Sequence, residues 1–179
     1  MSRDTAAAGF TIVELLVVIA IAAILLAAAA PNFSSFVAQQ RVRATTSELQ
    51  HDLALARVQA VEGQQQVFLD FTVANGVTTG WQLAADADGN GTVASTEIIK
   101  TSDTLPTALK ICTNSGGAVP SRLTFLPNGR IAELANGSVT LTGLRVSAGT
   151  DAFRTLYFGP TGRVNIVDKS QDSGASACS

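Results

Sequence analysis

The order of apolar and polar positions divides the chain into three stretches. From Leu15 to Ala30 every residue is Leu, Val, Ile or Ala, a run of 16. Extended back through Phe10-Thr11-Ile12-Val13-Glu14 the run reaches 21 residues. At about 1.5 Å per residue a helix of that length spans roughly 30 Å, the hydrocarbon core of a bilayer. Beyond Pro31 the apolar positions thin out but keep helical register, with Phe33, Phe36, Val37, Val42, Leu49, Leu53, Ala56 and Ala60. Spacings of three, four and seven set these on one stripe. Arg41, Arg43, Glu48, Asp52, Arg57 and Glu62 fall mostly elsewhere, and Gly63 suits a helix end. One helix is expected from about Phe10 to Glu62, its second half packed on a head; the alternative is two helices parted at Pro31.

From Gln66 the period changes to two. Val67, Leu69, Phe71 and Val73 alternate with Phe68, Asp70 and Thr72, which marks a half-buried strand. Further short strands are expected at Trp81–Ala85, Glu97–Lys100, Arg122–Leu126, Ile131–Leu134, Ser138–Val146, Phe153–Phe158 and Val164–Val167, parted by Gly, Pro and Asn turns. The fold class is α+β: a long helix with an antiparallel sheet, or two small ones, leaning on it.

Composition narrows the chemistry. A chain of 179 residues allows about one domain. One His, one Trp, one Tyr and two Cys leave few groups for acid–base or metal chemistry, so no enzyme and no cofactor are expected. His51, among polar neighbours on the helix, is expected at the surface. The net charge of −2 lacks the basic excess of a nucleic-acid binder. Glu14 is the exception within the apolar run: a carboxylate there costs at least about 2.5–3.5 kcal/mol at a bilayer centre and calls for a partner. The small residues Ala6 to Gly9 precede the run, whereas a secretory signal places them after it.

Gly9-Phe10-Thr11-Ile12-Val13-Glu14-Leu15-Leu16-Val17-Val18 resembles the prepilin signature of type IV pilins and type II secretion pseudopilins. The resemblance implies that residues 1–9 are a leader and that prepilin peptidase cuts between Gly9 and Phe10 and N-methylates Phe10. It implies further that Phe10 and Glu14 dock the subunit, Glu14 pairing with the α-amino group of a neighbouring pilin. Pro31 stands where such pilins carry a helix-distorting proline. The implied layout is a transmembrane half-helix over 10–31, a periplasmic half over 32–63 and a β-rich head over 64–179. This places a single-pass protein in the bacterial inner membrane, in contact with its lipid and with other major and minor pilins. Leu49, Leu53, Ala56, Arg57 and Ala60 also resemble the pattern of the FimT/GspH family of minor pilins and minor pseudopilins.

In the oxidising periplasm Cys112 and Cys178 are expected to form a disulfide that ties the Gly/Ser-rich tail to the head. A catalytic thiol is the other reading, without a suitably spaced His. Residues 86–97, Asp-Ala-Asp-Gly-Asn-Gly-Thr-Val-Ala-Ser-Thr-Glu, match the calcium-loop pattern in full. They lie between expected strands rather than helices, where a hairpin selects the same residues for its own turn, so no metal is assigned.

Charge is uneven along the head: Glu62 to Asp103 carries net −5 and Pro106 to Val167 net +4. Two of the arginines end a small repeat, Pro127-Asn128-Gly129-Arg130 and Pro160-Thr161-Gly162-Arg163. In the FimT branch a Gly-Arg-x-Arg motif is associated with DNA uptake. Gly162-Arg163-Val164-Asn165 matches its first half only. Gly162, Arg163, Arg130 and Lys169 are therefore candidate DNA-binding residues, although Asp168 and Asp172 beside Lys169 dilute its pull on phosphate. The plainer reading makes both repeats ordinary turns with solvated arginines. The reading adopted is a non-enzymatic minor pilin acting in assembly or at the tip of a type IV pilus, with a type II secretion pseudopilin and a DNA-uptake pilin as alternatives.

Overall fold

A computed structural model describes residues 10–132, 141–159, 161–172 and 177–178, with the side chains of 28–32 outside the description. Helix α1 runs unbroken over Ile12–Gly63, as one element rather than two. The expected distortion at Pro31 concerns a side chain outside the described residues. The chain divides after Val37 into two compact units.

In the first unit every described side chain from Phe10 to Ala27 is exposed. Among the described residues no helix is long and apolar enough to cross a membrane; the apolar run counted above passes through residues 28–30. Phe33 and Phe36 are 68% and 54% exposed.

In the second unit the stripe is buried from Val42 onward, with Leu49, Leu53, Ala56 and Ala60 all at 2% exposure or less. The left-handed residue that ends the helix is Gln64 (φ 52°) rather than Gly63. Its side-chain amide donates to the Val61 carbonyl at 2.6 Å, satisfying one of the helix's free acceptors.

Strands β1 (Val67–Ala74), β2 (Val77–Ala85), β3 (Ile98–Thr101), β4 (Lys110–Thr113), β5 (Arg122–Phe125), β6 (Gly143–Ala148), β7 (Ala152–Phe158) and β8 (Val164–Asp168) form two antiparallel sheets. Their orders are β3-β2-β1-β5 and β4-β6-β7-β8. Asn75 and Gly76, both at positive φ, make the tight β1–β2 turn. Leu69, Leu83, Leu123 and Phe125 of the first sheet and Leu144, Val146 and Leu156 of the second join the helix stripe in one core.

Two expectations are corrected. The strand expected at Ile131–Leu134 is a single bridge from Ile131 to Phe125, and residues 133–140 lie outside the description. The strand expected from Ser138 begins at Gly143. Strand β4 was not expected, because Ile111, Cys112 and Thr113 are buried in succession and show no alternation.

One polar group sits on the buried stripe. Asp52 is fully buried, and its carboxylate accepts the Trp81 indole N–H at 2.8 Å and the Lys100 ammonium at 2.8 and 2.9 Å. It thereby pins α1 to β2 and β3. The Asp52 bond holds the Lys100 amine above its ordinary value.

Asp52→Ala strands the indole N–H and the ammonium. It should lower stability by about 2–4 kcal/mol, measured by urea unfolding of the detergent-solubilised chain. Asp52→Asn, which keeps an acceptor for Trp81, should lose less. Equal stability of Asp52→Ala and the parent would contradict the pin.

Candidate functional site

The start of α1 is held by its own side chains. The Glu14 amide donates to Thr11 Oγ1 at 3.2 Å, while the Thr11 amide and hydroxyl both donate to Glu14 Oε2 at 2.9 Å. This is a reciprocal capping box, Thr at the cap and Glu three residues on. The Thr-x-x-Glu spacing is visible in the sequence and was missed there. Among the described residues only Thr11 donates to the Glu14 carboxylate, both bonds going to Oε2, and Phe10 is exposed. Gly9 lies outside the described residues.

The two halves of the Pro-x-Gly-Arg repeat fold alike and meet. Gly129 N–H donates to Leu126 O and Leu126 N–H to Arg130 O, both at 2.8 Å. Gly162 N–H donates to Gly159 O at 2.9 Å and Gly159 N–H to Arg163 O at 2.7 Å. With Gly129 and Gly162 both at φ 75°, each is a four-residue turn closed by a left-handed glycine. Pro160 lies outside the described residues. A Cβ on Gly162 would overlap the Gly129 carbonyl oxygen. Arg57 of α1 donates its Nε–H to that same carbonyl at 3.2 Å. Gly162 is therefore a packing residue, and Arg57 fixes both turns to the helix.

Arg130 and Arg163 leave these adjoining turns exposed. Lys169 does not join them. It stands beyond the other end of β8, about 20 Å along an extended strand, where it pairs with Asp151 at 3.1 Å. The basic excess counted in the sequence is also largely spent inside the head: Arg122 pairs with Asp70, Arg154 with Asp168 and Arg145 with Asp172. His51 is exposed, as expected.

Cys112 and Cys178 form a disulfide, Cα atoms 5.7 Å apart, joining β4 to the tail. A second tie holds the tail through Asp172. Its carboxylate accepts from the Thr155 hydroxyl at 2.6 Å, the Tyr157 hydroxyl at 2.9 Å and the buried Arg145 at 3.3 Å. Burial works to raise the Asp172 carboxyl, but the bonds from Thr155, Tyr157 and Arg145 together outweigh it and hold the group below its usual value. Burial, then the bond to Asp172, pushes the Tyr157 hydroxyl up.

The family model described as type II transport protein GspH matches residues 45–162. The prokaryotic N-terminal methylation motif matches residues 5–30. Comparison with curated proteins finds no match. Among solved structures the chain is similar to the type IV minor pilin FimU of Pseudomonas aeruginosa in its P21 crystal form: TM-score 0.56, 22% identity, 78% of this chain and 96% of that one. In the P65 form the values are 0.53, 21%, 74% and 95%. The minor pseudopilin EpsH of the Vibrio cholerae type 2 secretion system gives 0.50, 14%, 72% and 97%. These likenesses confirm the α+β pilin fold.

Two outcomes test the site. Gly162→Ala meets both left-handed strain and the Gly129 carbonyl, and should cost about 2–5 kcal/mol. Gly149→Ala, at φ 65° with no atom within 4 Å of its Cβ, should cost about 1–2 kcal/mol by urea unfolding. Similar costs would contradict the close approach. Because folded Asp172 titrates below its unfolded counterpart, its contribution is complete above the unfolded value and is lost as pH falls through the folded one. The stability gap between parent and Asp172→Asn should hold from neutrality to about pH 5 and shrink below about pH 4. A gap that persists unchanged in acid would contradict the network.

Proposed function

We propose, from the premise that the chain belongs to the GspH family of type II transport proteins, that it is a non-enzymatic minor subunit of a type IV pilus, acting in assembly or at the tip. The observation that carries this reading is the exposed apolar segment from Phe10 to Leu26, into the start of α1, headed by the Glu14 carboxylate. A chain that leaves so many Leu, Ile and Val side chains uncovered must bury them in lipid or against other helices.

In this reading prepilin peptidase cleaves after Gly9 and methylates Phe10. Residues 10–31 then lie in the bacterial inner membrane, 32–63 continue the helix, and 64–179 form a periplasmic head. The methylation-motif match supports the cleavage and the disulfide supports an oxidising compartment. Glu14 takes the α-amino group of a neighbouring major or minor pilin, exchanging or extending its bonds to Thr11. Pro31 gives the helix a point of local adjustment inside the filament.

The family description favours a second reading, a minor pseudopilin of type II secretion. The exposed pair Arg130 and Arg163 favours a third, a salt-sensitive contact of the head with DNA phosphates.

Glu14→Ala should leave the disulfide-bonded head intact and remove the chain from sheared filaments, as read by immunoblot of pilus and membrane fractions. Undiminished incorporation of the variant would overturn the docking role. Appearance of the parent only in a secretion pseudopilus would favour the second reading.

A further inference from the structure

The loop between β2 and β3 was set aside in the sequence because strands flank it. Its geometry reopens the question, independently of any place in a filament. One carboxylate oxygen from each of Asp86, Asp88 and Glu97 lies within 4.8 Å of the other two. Two oxygens bound to one calcium ion at 2.3–2.6 Å can be no farther apart than about 5 Å, so the spacing is compatible with a shared ion, which would draw the three slightly together.

A separate observation points to a ligand. Asp86 is only 5% exposed, and its Oδ1 is buried with no hydrogen-bond partner, alone in this respect among the side chains of the described residues. Its Oδ2 takes the Gly91 N–H at 3.1 Å. A buried carboxylate oxygen left without a donor is unfavourable in a folded chain. A cation at the centre of the three carboxylates supplies what it lacks.

The rest of the loop is compatible with an ion. Asn90 holds the fifth position and shapes the turn: its Oδ1 accepts both the Thr92 N–H at 2.6 Å and the Thr92 hydroxyl at 2.5 Å. Gly91, sixth, sits at φ 75°, the sharp turn that such loops require. Glu97, twelfth, spreads its two oxygens over the amides of Ala87 and Ala94 at 2.9 and 2.8 Å, and so faces both ends of the loop. Arg122 Nη1 donates to the Gly91 carbonyl at 2.9 Å, holding the loop to β5.

We propose that Asp86, Asp88 and Glu97 form a calcium site. Three carboxylates suit calcium, which takes six to eight oxygen ligands in adaptable geometry, over magnesium, which demands a tight octahedron and keeps its waters. The ion ties the end of β2 to the start of β3, the strand at the open edge of its sheet, whose Lys100 reaches Asp52. Calcium thus stiffens an edge whose other ties are its one neighbouring strand and the Lys100–Asp52 pair.

The test is equilibrium dialysis of the full-length, detergent-solubilised chain against radioactive calcium after removal of metal with a chelator, with Asp88→Asn and Glu97→Gln beside the parent. Asp88 is exposed, so its substitution spares the core. The expected result is one calcium per chain with an affinity in the range of about 10⁻⁴–10⁻³ M typical of extracellular modules. Equimolar magnesium should not compete, each variant should bind at least about tenfold more weakly, and the melting temperature should rise with calcium in the parent only. No binding by the parent at millimolar calcium, binding unchanged in both variants, or equal competition by magnesium would overturn the assignment.

Discussion

A carboxylate buried in the centre of the head fixes how the helix meets its sheets. Apolar packing alone would let α1 slide or roll over the leucine-lined faces beneath it, since burial is proportional to area and indifferent to direction. Asp52 removes that freedom. Taking a charge out of water is costly unless it is fully bonded, and only one placement of the helix brings the Asp52 carboxylate to both Trp81 and Lys100. Arg57, about one and a half turns on, does the same for the far side of the head, holding the Gly129 carbonyl where the two glycine turns touch. One pin addresses β2 and β3 and the other the turn after β5, so together they set register as well as tilt.

The glycine turns explain why a short sequence repeat recurs on two separate sheets. One turn follows β5 in the first sheet and the other joins β7 to β8 in the second. Their close approach brings the sheets together at a point where any side chain on Gly162 would part them. The arginines that follow are carried outward as a consequence of the turn geometry. The tail is bound in turn by a covalent bond and by the buried network of Asp172, so it is fixed to one face of the second sheet at two points.

Much of this was legible in the sequence. The helix stripe from Val42 to Ala60 and the period-two strands follow from spacing, because burial on one face imposes a period on whichever residues supply it; the pairing of Cys112 with Cys178 followed from an even count in the oxidising compartment that the resemblance implied. What escaped were interactions between residues distant in sequence. Asp52 was counted with the surface charges although it lies three residues after Leu49, on the buried stripe itself, and its partners are 29 and 48 positions away. Arg122, Arg145 and Arg154 count toward the basic excess from Pro106 to Val167 and are paired with acids that the topology brings to them. Of the candidate site, the Thr11–Glu14 box was local and therefore readable, whereas the convergence of Gly129, Gly162 and Arg57 needed the fold.

The central claim is that the exposed apolar end of α1 is a subunit interface exposed for use by processing ahead of Phe10. Mass spectrometry of the chain recovered from sheared filaments tests it most directly. The account predicts a mature species of 170 residues that begins at Phe10, carries one methyl group on its α-amine and retains the Cys112–Cys178 bond. A chain found only in uncleaved form, or one absent from filaments of cells that make it, would contradict the account.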